Sequence, residues 1–165
     1  MLTAEQLLNA LLERARPVTE SETVALAEVQ GRVLAAPQTS SLTVPPLDNS
    51  AMDGYAVRVA DISAPGVRLQ VSQRIAAGQV GAPLQPGTAA RIFTGAPVPP
   101  GADAVLMQED CSPHPSPLPE GEGVSAMPTA YNVTINKLPR PGENIRRAGE
   151  DILPGAEILR AGTRI

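Results

Sequence analysis

The stretch 45-PPLDNSAMDGYAVR-58 carries the strongest structural signals in the chain. It starts with two prolines, reaches Asp53-Gly54, and continues into a run in which apolar residues alternate from Tyr55 to Val59. An Asp-Gly pair before such alternation predicts a hairpin turn that leads into a half-buried strand. Asp48 or Asn49 could hold its own backbone in an Asx-turn, so composition alone favours turn residues over site carboxylates.

The composition of the 165 residues indicates many turns between short strands. Hydrophobic residues make up 42% of the chain, but Trp is absent and there are only one Phe and two Tyr. The core must therefore consist mainly of Val, Ile, Leu and Ala. Gly and Pro number 14 and 18, which is above average usage but below the range typical of disordered chains.

Charge and cysteine content exclude several classes of protein. The formal net charge is −4 with scattered basic residues, which disfavours a nucleic-acid partner. Cys111 is the single cysteine, so the chain has no intrachain disulfide framework and fits a reducing compartment. The first residues have neither a basic region nor a long apolar run, so we expect no export signal, no membrane span and a cytoplasmic protein.

Residues 3–16 are predicted to form one helix. Thr3 and Gln6 match a capping box, and Pro17 ends the helical pattern. The apolar residues follow helical spacing and form a stripe of leucines: Leu7, Leu8, Leu11 and Leu12. After the helix, residues 23–29 suggest a strand and residues 33–36 a short helical turn.

The remainder of the chain has the pattern of a β domain. Residues 67–75 and 131–137 alternate as strands do. Three Pro-Gly pairs, at 86–87, 100–101 and 154–155, each precede an apolar run and suit type II turns. The segment 112-SPHPSPLPEGEG-123 cannot join a ladder or bury a face, so we expect an exposed loop there.

The predicted fold is mainly β with an N-terminal helix, an α+β arrangement. A barrel-like domain over residues 42–144 is expected to be inserted into a small α+β domain. The flanking segments 1–41 and 145–165 are expected to form that smaller domain.

Two further polar stretches could carry chemistry. They are 93-FTGAPVPPGAD-103 and 142-GENIRRAGED-151. Composition alone favours a proline-braced turn for the first and a solvated bend for the second. His114 has no neighbour at metal-ligand spacing, Cys111 has no base in sequence range, and the chain has neither a P-loop nor a nucleophile elbow. Any site must be built from carboxylates, a threonine and arginines.

Taken together, three stretches resemble a known family. PPLDNSAMDGYAVR, RIFTGAPVPPGADAV and GENIRRAGED occur in the order found in the N-terminal part of the molybdopterin molybdenumtransferases, the bacterial MoeA family. They are also similar to the E domain of gephyrin. The resemblance covers almost the whole chain, and three specific motifs in order outweigh the structural interpretation of each one alone.

The resemblance implies a function in the last step of molybdenum cofactor synthesis. Family members take molybdate and adenylated molybdopterin as substrates and cleave the adenylate in a step that depends on a divalent cation, here expected to be Mg²⁺. It implies that Asp53 is functionally critical and that Thr94 and Asp151 occupy the matching positions of the other motifs. Arg146 and Arg147 match the family's arginines, although Ala148 stands where many members have a third basic residue.

Charge sorts these residues into roles. A carboxylate about 4 Å from one negative charge costs ~1 kcal/mol in water and ~4 kcal/mol at an effective dielectric of 20. Asp53 and Asp151 are therefore poor anion ligands but suit Mg²⁺. We assign Arg146 and Arg147 to the oxyanions of the substrates.

Thr94 offers a hydroxyl, and the backbone N–H groups beside Gly95 are expected to leave room for an oxyanion. Ser50 is assigned with Gly95 to substrate binding.

The chain departs from the family pattern at its end. Family members continue into an α/β domain that binds the pterin and a C-terminal β domain, and their site forms between two subunits. The resemblance therefore implies half a site, completed by that domain or by a partner subunit carrying it, in a homodimer that works with molybdopterin adenylyltransferase. We expect the chain to be inactive alone. The alternative is a non-catalytic dimerisation or scaffold module on the same fold.

The resemblance also bears on the N-terminal helix. In the family this helix packs partly on the domain that follows, so the leucine stripe is expected to be exposed in this chain. Four exposed leucines forgo several kcal/mol of burial energy at about 25 cal/mol per Å². Self-association through the stripe is therefore expected.

Overall fold

The computed structural model describes residues 3–16, 18–112 and 131–165. Within these ranges the helix α1 spans Ala4–Arg14. The strands that follow, in chain order, are β1 (Gln38–Thr39), β2 (Asn49–Ser50), β3 (Gly54–Val57), β4 (Val67–Ile75), β5 (Thr88–Ile92), β6 (Ala104–Met107), β7 (Cys111–Ser112), β8 (Tyr131–Ile135), β9 (Ile145–Arg146) and β10 (Glu157–Leu159). Short 3-10 turns lie at Leu26–Glu28, Val59–Asp61 and Gln108–Asp110.

The chain divides into two compact units. One unit comprises Met1–Thr39 and Glu157–Ile165, and the other comprises Ser40–Ala156. We call Ser40–Ala156 the inner unit and the other the outer unit, because in the sequence the first lies between the two segments of the second. The inner unit is longer than the predicted 42–144, because β2 pairs with β9 and Val44 forms an antiparallel bridge with Ile152. In the outer unit β1 pairs with β10.

The inner unit is built on a six-stranded sheet with the order β6-β3-β5-β4-β8-β7. Strands β4 and β5 are parallel, and the other neighbouring pairs are antiparallel. The turn Gln108–Asp110 joins the edge strands β6 and β7, so the sheet nearly closes on itself. The predicted fold class, mainly β with an N-terminal helix and a barrel-like domain, is confirmed.

Strand β3, which lies between β5 and β6 in the sheet, is buried on both faces. Tyr55 and Val57 belong to the core cluster on one face, whereas Ala56 belongs to a second cluster that contains Ile92 and Leu84 on the other. The prediction of a half-buried β3 is therefore wrong, since all its residues are buried. Loop segments cover the second face, which alternation within one strand cannot reveal.

The predicted Pro-Gly turns are confirmed as strand starts. Gly87, Gly101 and Gly155 have φ of 73°, 91° and 84°, the region that glycine adopts at little cost. They precede β5, β6 and β10, respectively.

Other local predictions differ from the structure. Leu26–Glu28 forms a 3-10 turn within the predicted strand 23–29, because no neighbouring strand pairs with that segment among the residues described. The predicted helical turn at 33–36 is wrong because Val33 forms an antiparallel bridge with Arg164. Ser112 belongs to β7 rather than to the predicted loop, and the rest of that loop, residues 113–123, lies outside the described residues.

Helix α1 begins as predicted. The Thr3 hydroxyl accepts a hydrogen bond from the Gln6 N–H, and the Gln6 side chain accepts one from the Thr3 N–H at 2.9 Å. The helix buries no residue, and its leucine stripe is exposed by 50–62%: Leu7, Leu8, Leu11 and Leu12. The part of the chain that the structure describes contains no helix with the length and hydropathy needed to cross a bilayer.

We expect the leucine stripe to drive concentration-dependent self-association. Leu8→Gln combined with Leu12→Gln should abolish it, because Gln keeps the helix propensity and removes apolar surface. Leu42→Gln is the control, since Leu42 is 67% exposed outside the helix and should leave association unchanged. Sedimentation velocity over a concentration series measures the effect. A wild-type chain that stays monomeric at high concentration would contradict the prediction.

We expect Gly54→Ala to destabilise the inner unit by at least about 2 kcal/mol. A Cβ on Gly54 overlaps the carbonyl oxygen of Leu106 on the neighbouring strand, and backbone atoms cannot move aside cheaply. Gly155→Ala is the control, because nothing lies within 4 Å of its Cβ and only left-handed strain of about 1 kcal/mol remains. Urea unfolding measures both, and equal losses would refute the steric explanation.

Candidate functional site

Asp53 and Thr94 are in direct contact. The Asp53 Oδ1 atom accepts hydrogen bonds from the Thr94 N–H at 2.8 Å and from the Thr94 hydroxyl at 2.7 Å. The carbonyl of Asp53 accepts a bond from the Gln108 N–H at 3.0 Å. Two predicted site residues that lie 41 positions apart are thus brought together, and the Asp53 carboxylate is directed to Thr94.

The contact with Thr94 keeps Asp53 ionised. The hydrogen bond from the Thr94 N–H, and then the bond from its hydroxyl, hold the pKa of Asp53 below its ordinary value of 3.8. Partial burial opposes this shift, and the positive charge of Arg91 adds to it. Both hydrogen bonds fall on Oδ1, and no described residue donates to Oδ2. A negative oxygen is therefore available for a further ligand.

Ser50 and Gly95 lie beside this contact. Ser50 is 1% exposed, and its hydroxyl donates to the Met52 carbonyl at 2.5 Å, within its own turn. Gly95 has φ of 80° and donates its N–H to the Ser50 carbonyl at 2.9 Å. Ser50 therefore holds the turn before Asp53, and its assignment to substrate binding stays a prediction.

The backbone N–H groups at the start of the second motif are already occupied. Thr94 donates to Asp53, Gly95 donates to Ser50, and the Ala96 N–H donates to the Phe93 carbonyl at 2.9 Å. An oxyanion at the N–H groups beside Gly95 would have to displace one of these bonds, and the assignment of Gly95 to substrate binding stays a prediction.

The third motif forms an exposed cluster of ion pairs. Arg146 contacts Asp151 through Nη2 at 2.6 Å and Glu150 through Nε at 3.5 Å. The hydrogen bond that Arg146 donates to Asp151 is the main cause that raises the pKa of Arg146 above its ordinary value. The predicted oxyanion ligand Arg146 and the predicted metal ligand Asp151 therefore neutralise each other.

Asp48 is a residue of the site whose contacts the sequence analysis missed. Its Oδ2 accepts a hydrogen bond from Arg147 Nη1 at 2.6 Å, and its Oδ1 accepts one from the Ala148 N–H at 2.8 Å. The bond from Ala148, followed by that from Arg147, lowers the pKa of Asp48. The suggested Asx-turn is wrong for Asp48, because its carboxylate bonds to residues 99 and 100 positions away, which no local sequence signal reveals.

Strand β2 brings the three motifs together. Ser50 exchanges backbone hydrogen bonds with Gly95 and Ala96, and β2 pairs with β9, which contains Arg146. The predicted hairpin between β2 and β3 is wrong, because β3 pairs with β5 and β6. The first motif thus contacts the second and the third at β2.

The described residues offer an incomplete cation site. They contain no group of three or more His, Cys, Asp or Glu side chains able to hold a metal ion. Mg²⁺ is commonly held by one or two carboxylates together with water and substrate phosphates. Asp53, with its available Oδ2, fits that pattern. Asp151 also has an Oδ2 that accepts no bond from a described residue, but the positive charge of Arg146 on its Oδ1 opposes a cation there.

Cys111 takes no part in this site. It is 1% exposed within the core cluster, and burial raises the pKa of its thiol to about 12. A thiol with that pKa stays protonated near neutral pH and is a poor nucleophile. His114 lies outside the described residues.

The nearly closed sheet defines a barrel-like β domain, and the three motifs meet at its strand β2. Comparison with known sequences gives the family. The profile of the family described as "MoeA N-terminal region (domain I and II)" matches residues 2–165. The chain belongs to this family.

Relatives and solved structures agree with that membership. The chain is 36% identical over 166 residues to the molybdopterin molybdenumtransferase of Haemophilus influenzae, covering 100% of this chain and 37% of that protein. It is 39% identical over 163 residues to molybdopterin molybdenumtransferase 2 of Mycobacterium tuberculosis, covering 96% of this chain and 36% of that protein.

Among solved structures, the molybdopterin biosynthesis moeA protein from Pyrococcus horikoshii OT3 matches with a TM-score of 0.78 and 31% identity, covering 96% of this chain and 39% of that one. The chain thus spans a little over a third of the length of the relatives that it matches.

We expect Thr94→Val to raise the pKa of Asp53 towards, but not to, 3.8, because the N–H bond remains when the hydroxyl is lost. Carbon-13 NMR titration of the carboxyl measures it. A lowered native pKa stabilises the fold above pH 3.8 and loses that contribution as the pH falls through the native value. The difference in unfolding free energy between wild type and variant should be about 1 kcal/mol at neutral pH. It should therefore shrink as the pH falls from about 3.8 through the native pKa of Asp53.

Thr88→Val is the matched control for this titration. The Thr88 hydroxyl donates to the Gln85 carbonyl at 2.7 Å and contacts no carboxylate, so its loss should be independent of pH. A Thr94→Val difference that is equally constant with pH would show that the hydroxyl does not stabilise the ionised form of Asp53.

Proposed function

We propose that the chain is the N-terminal region of a molybdopterin molybdenumtransferase, which inserts molybdenum from molybdate into adenylated molybdopterin during molybdenum cofactor biosynthesis. Family membership and the names of the relatives support the reaction class. The observation that carries the proposal is the contact of Asp53 with Thr94, since it places residues of two motifs together and leaves one carboxylate oxygen available.

Asp53 supplies negative charge in a fixed position. Its Oδ1 is held by Thr94, so Oδ2 is oriented without further loss of side-chain freedom. Asp53 and Asp151 would hold Mg²⁺, which when bound would neutralise charge on the pyrophosphate of the adenylated substrate. Thr94 acts on this step through Asp53, because its N–H and hydroxyl both point to the carboxylate.

Arg146 and Arg147 bind the substrate oxyanions after exchanging partners. Each now pairs with a carboxylate, but the side chains are 43% and 61% exposed. Exposed ion pairs contribute only about 0–1 kcal/mol, so a doubly charged anion can replace the carboxylate at little cost. Release of Asp151 from Arg146 would at the same time remove the positive charge that opposes a cation at that carboxylate.

The remaining part of the site comes from another domain. The relatives are longer than this chain, which spans a little over a third of their length. We therefore place the pterin-binding domain, on the same polypeptide or on the partner subunit of a homodimer, opposite Asp53. A molybdopterin adenylyltransferase would supply the substrate, and this chain alone would be inactive.

A second candidate function is a dimerisation or scaffold module without catalysis. The observation that favours it is the exposed leucine stripe on α1, which no described residue covers. The two candidates differ in whether Asp53 is needed when the chain is combined with a pterin-binding domain.

Complementation of a host that lacks molybdenum insertion tests the proposal. The chain joined to the pterin-binding domain of a relative should restore molybdoenzyme activity, and the chain alone should not. Asp53→Asn in the joined protein should reduce insertion about a hundredfold, because it removes the charge that holds the cation while keeping an oxygen for Thr94.

Asp61→Asn is the matched control for the complementation assay. Asp61 also accepts a backbone N–H bond, from Gly87 at 2.8 Å, and lies outside the three motifs. Its side chain contacts them through an ion pair at 3.8 Å with Arg58, the last residue of the first motif. Asp61→Asn should leave insertion within about twofold of wild type. Full activity of Asp53→Asn would refute the cation role and favour the scaffold module.

A further inference from the structure

We propose that Arg91 is the positioning residue that holds Asp53 and Thr94 in contact. Its buried guanidinium binds Gly54, which follows Asp53, and stacks on Phe93, which precedes Thr94. It therefore links the segment that carries Asp53 to the segment that carries Thr94. The catalytic consequence of this inference rests on the proposed function, whereas the positioning itself can be measured without activity.

Arg91 is a buried cation held by neutral acceptors. Its residue is 6% exposed, Nη1 donates to the Gly54 carbonyl at 2.9 Å, and Nη2 donates to Gln108 Oε1 at 2.7 Å. The ion pairs among the described residues do not include Arg91. Buried charges are nearly always paired with an opposite charge, so the retention of a cation here calls for a specific role.

The location of Arg91 explains that role. Ala89 lies two positions before Arg91 and belongs to the same core cluster as Tyr55, the register partner of Arg91. The Arg91 side chain therefore lies on this interior face, near the end of β5. The Arg91 Cζ lies 4.5 Å from the centre of the Phe93 ring and 5.4 Å from that of Tyr55. Stacking on an aromatic face favours a guanidinium and fixes its plane.

The hydrogen bonds form a closed set around Asp53. The Gln108 side chain accepts a hydrogen bond from the Arg91 guanidinium, and the Gln108 backbone N–H donates to the Asp53 carbonyl at 3.0 Å. Arg91 also binds Gly54, which follows Asp53 directly. The two carbonyl groups that follow the Asp53 side chain are thereby held, while Phe93 fixes the position from which Thr94 donates.

Arg74 provides a matched control, because it stacks on the same Phe93 ring as Arg91. It is the register partner of Arg91 on the neighbouring strand, and its Cζ also lies 4.5 Å from the Phe93 ring centre. The side-chain hydrogen bonds among the described residues include none from the Arg74 guanidinium. It therefore shares charge and stacking with Arg91 but lacks the bonds to Gly54 and Gln108.

Amide hydrogen exchange of the Thr94 N–H in the complete chain tests the positioning. Arg91→Lys keeps the charge but loses the two-pronged donor, so exchange at Thr94 should become at least about tenfold faster. Arg74→Lys should change it by less than about twofold. The amide of Ala90, which lies within β5, should not respond to either variant.

Gln108→Leu provides a second route to the same result should Arg91→Lys fail to fold. The Gln108 side chain makes no hydrogen bond to Asp53 or Thr94 among the described residues. Its loss leaves Arg91 Nη2 without its acceptor and should speed Thr94 exchange several-fold. Unchanged Thr94 exchange in a folded variant, or equal acceleration at Ala90, would overturn the inference, because it would show no coupling or only general destabilisation.

The activity arm separates this inference from the proposed function. In the chain joined to a pterin-binding domain, Arg91→Lys should lower kcat about tenfold with KM changed less than twofold, since substrate contacts remain. Arg74→Lys should alter neither constant. Faster Thr94 exchange with unchanged kcat would support the positioning by Arg91 and overturn the role of Asp53 in the proposed reaction.

Discussion

The candidate site depends on one carboxylate that accepts two hydrogen bonds from a single residue. Asp53 receives both the N–H and the hydroxyl of Thr94 on the same oxygen. This arrangement stabilises the ionised form, limits the rotation of the side chain and leaves the second oxygen for a ligand. It requires the first two motifs to meet with an accuracy of a few tenths of an ångström.

The supporting contacts show how the fold achieves that accuracy. Strand β2 exchanges backbone bonds with the second motif and pairs with the third. Asp48 binds Arg147 and the N–H of Ala148, which closes the third motif onto the first. Because β3 is buried on both faces, Gly54 and its neighbours have little freedom to shift.

Opposite charges are balanced within the motifs in a way that suits ligand exchange. The pairs Arg146–Asp151 and Arg147–Asp48 are exposed, so each contributes little to stability and can open when a stronger ligand arrives. Arg91 differs in being buried without a carboxylate, and its bonds to Gly54 and Gln108 serve geometry rather than exchange. In the proposed function exposed arginines bind the substrate and a buried one positions Asp53, which are distinct uses of the same side chain.

The sequence by itself determined the elements whose signals are local. The capping box at Thr3, the Pro-Gly turns and the alternation in residues 67–75 led to correct elements, and the ordered motifs identified the family. Tertiary structure alone decided which residues meet. The bonds of Asp48 to Arg147 and of Arg91 to Gly54 join residues 99 and 37 positions apart, and the full burial of β3 depends on loops packed over the sheet. Such contacts arise from strand pairing and packing across the fold, and these are not encoded in the spacing of any one segment.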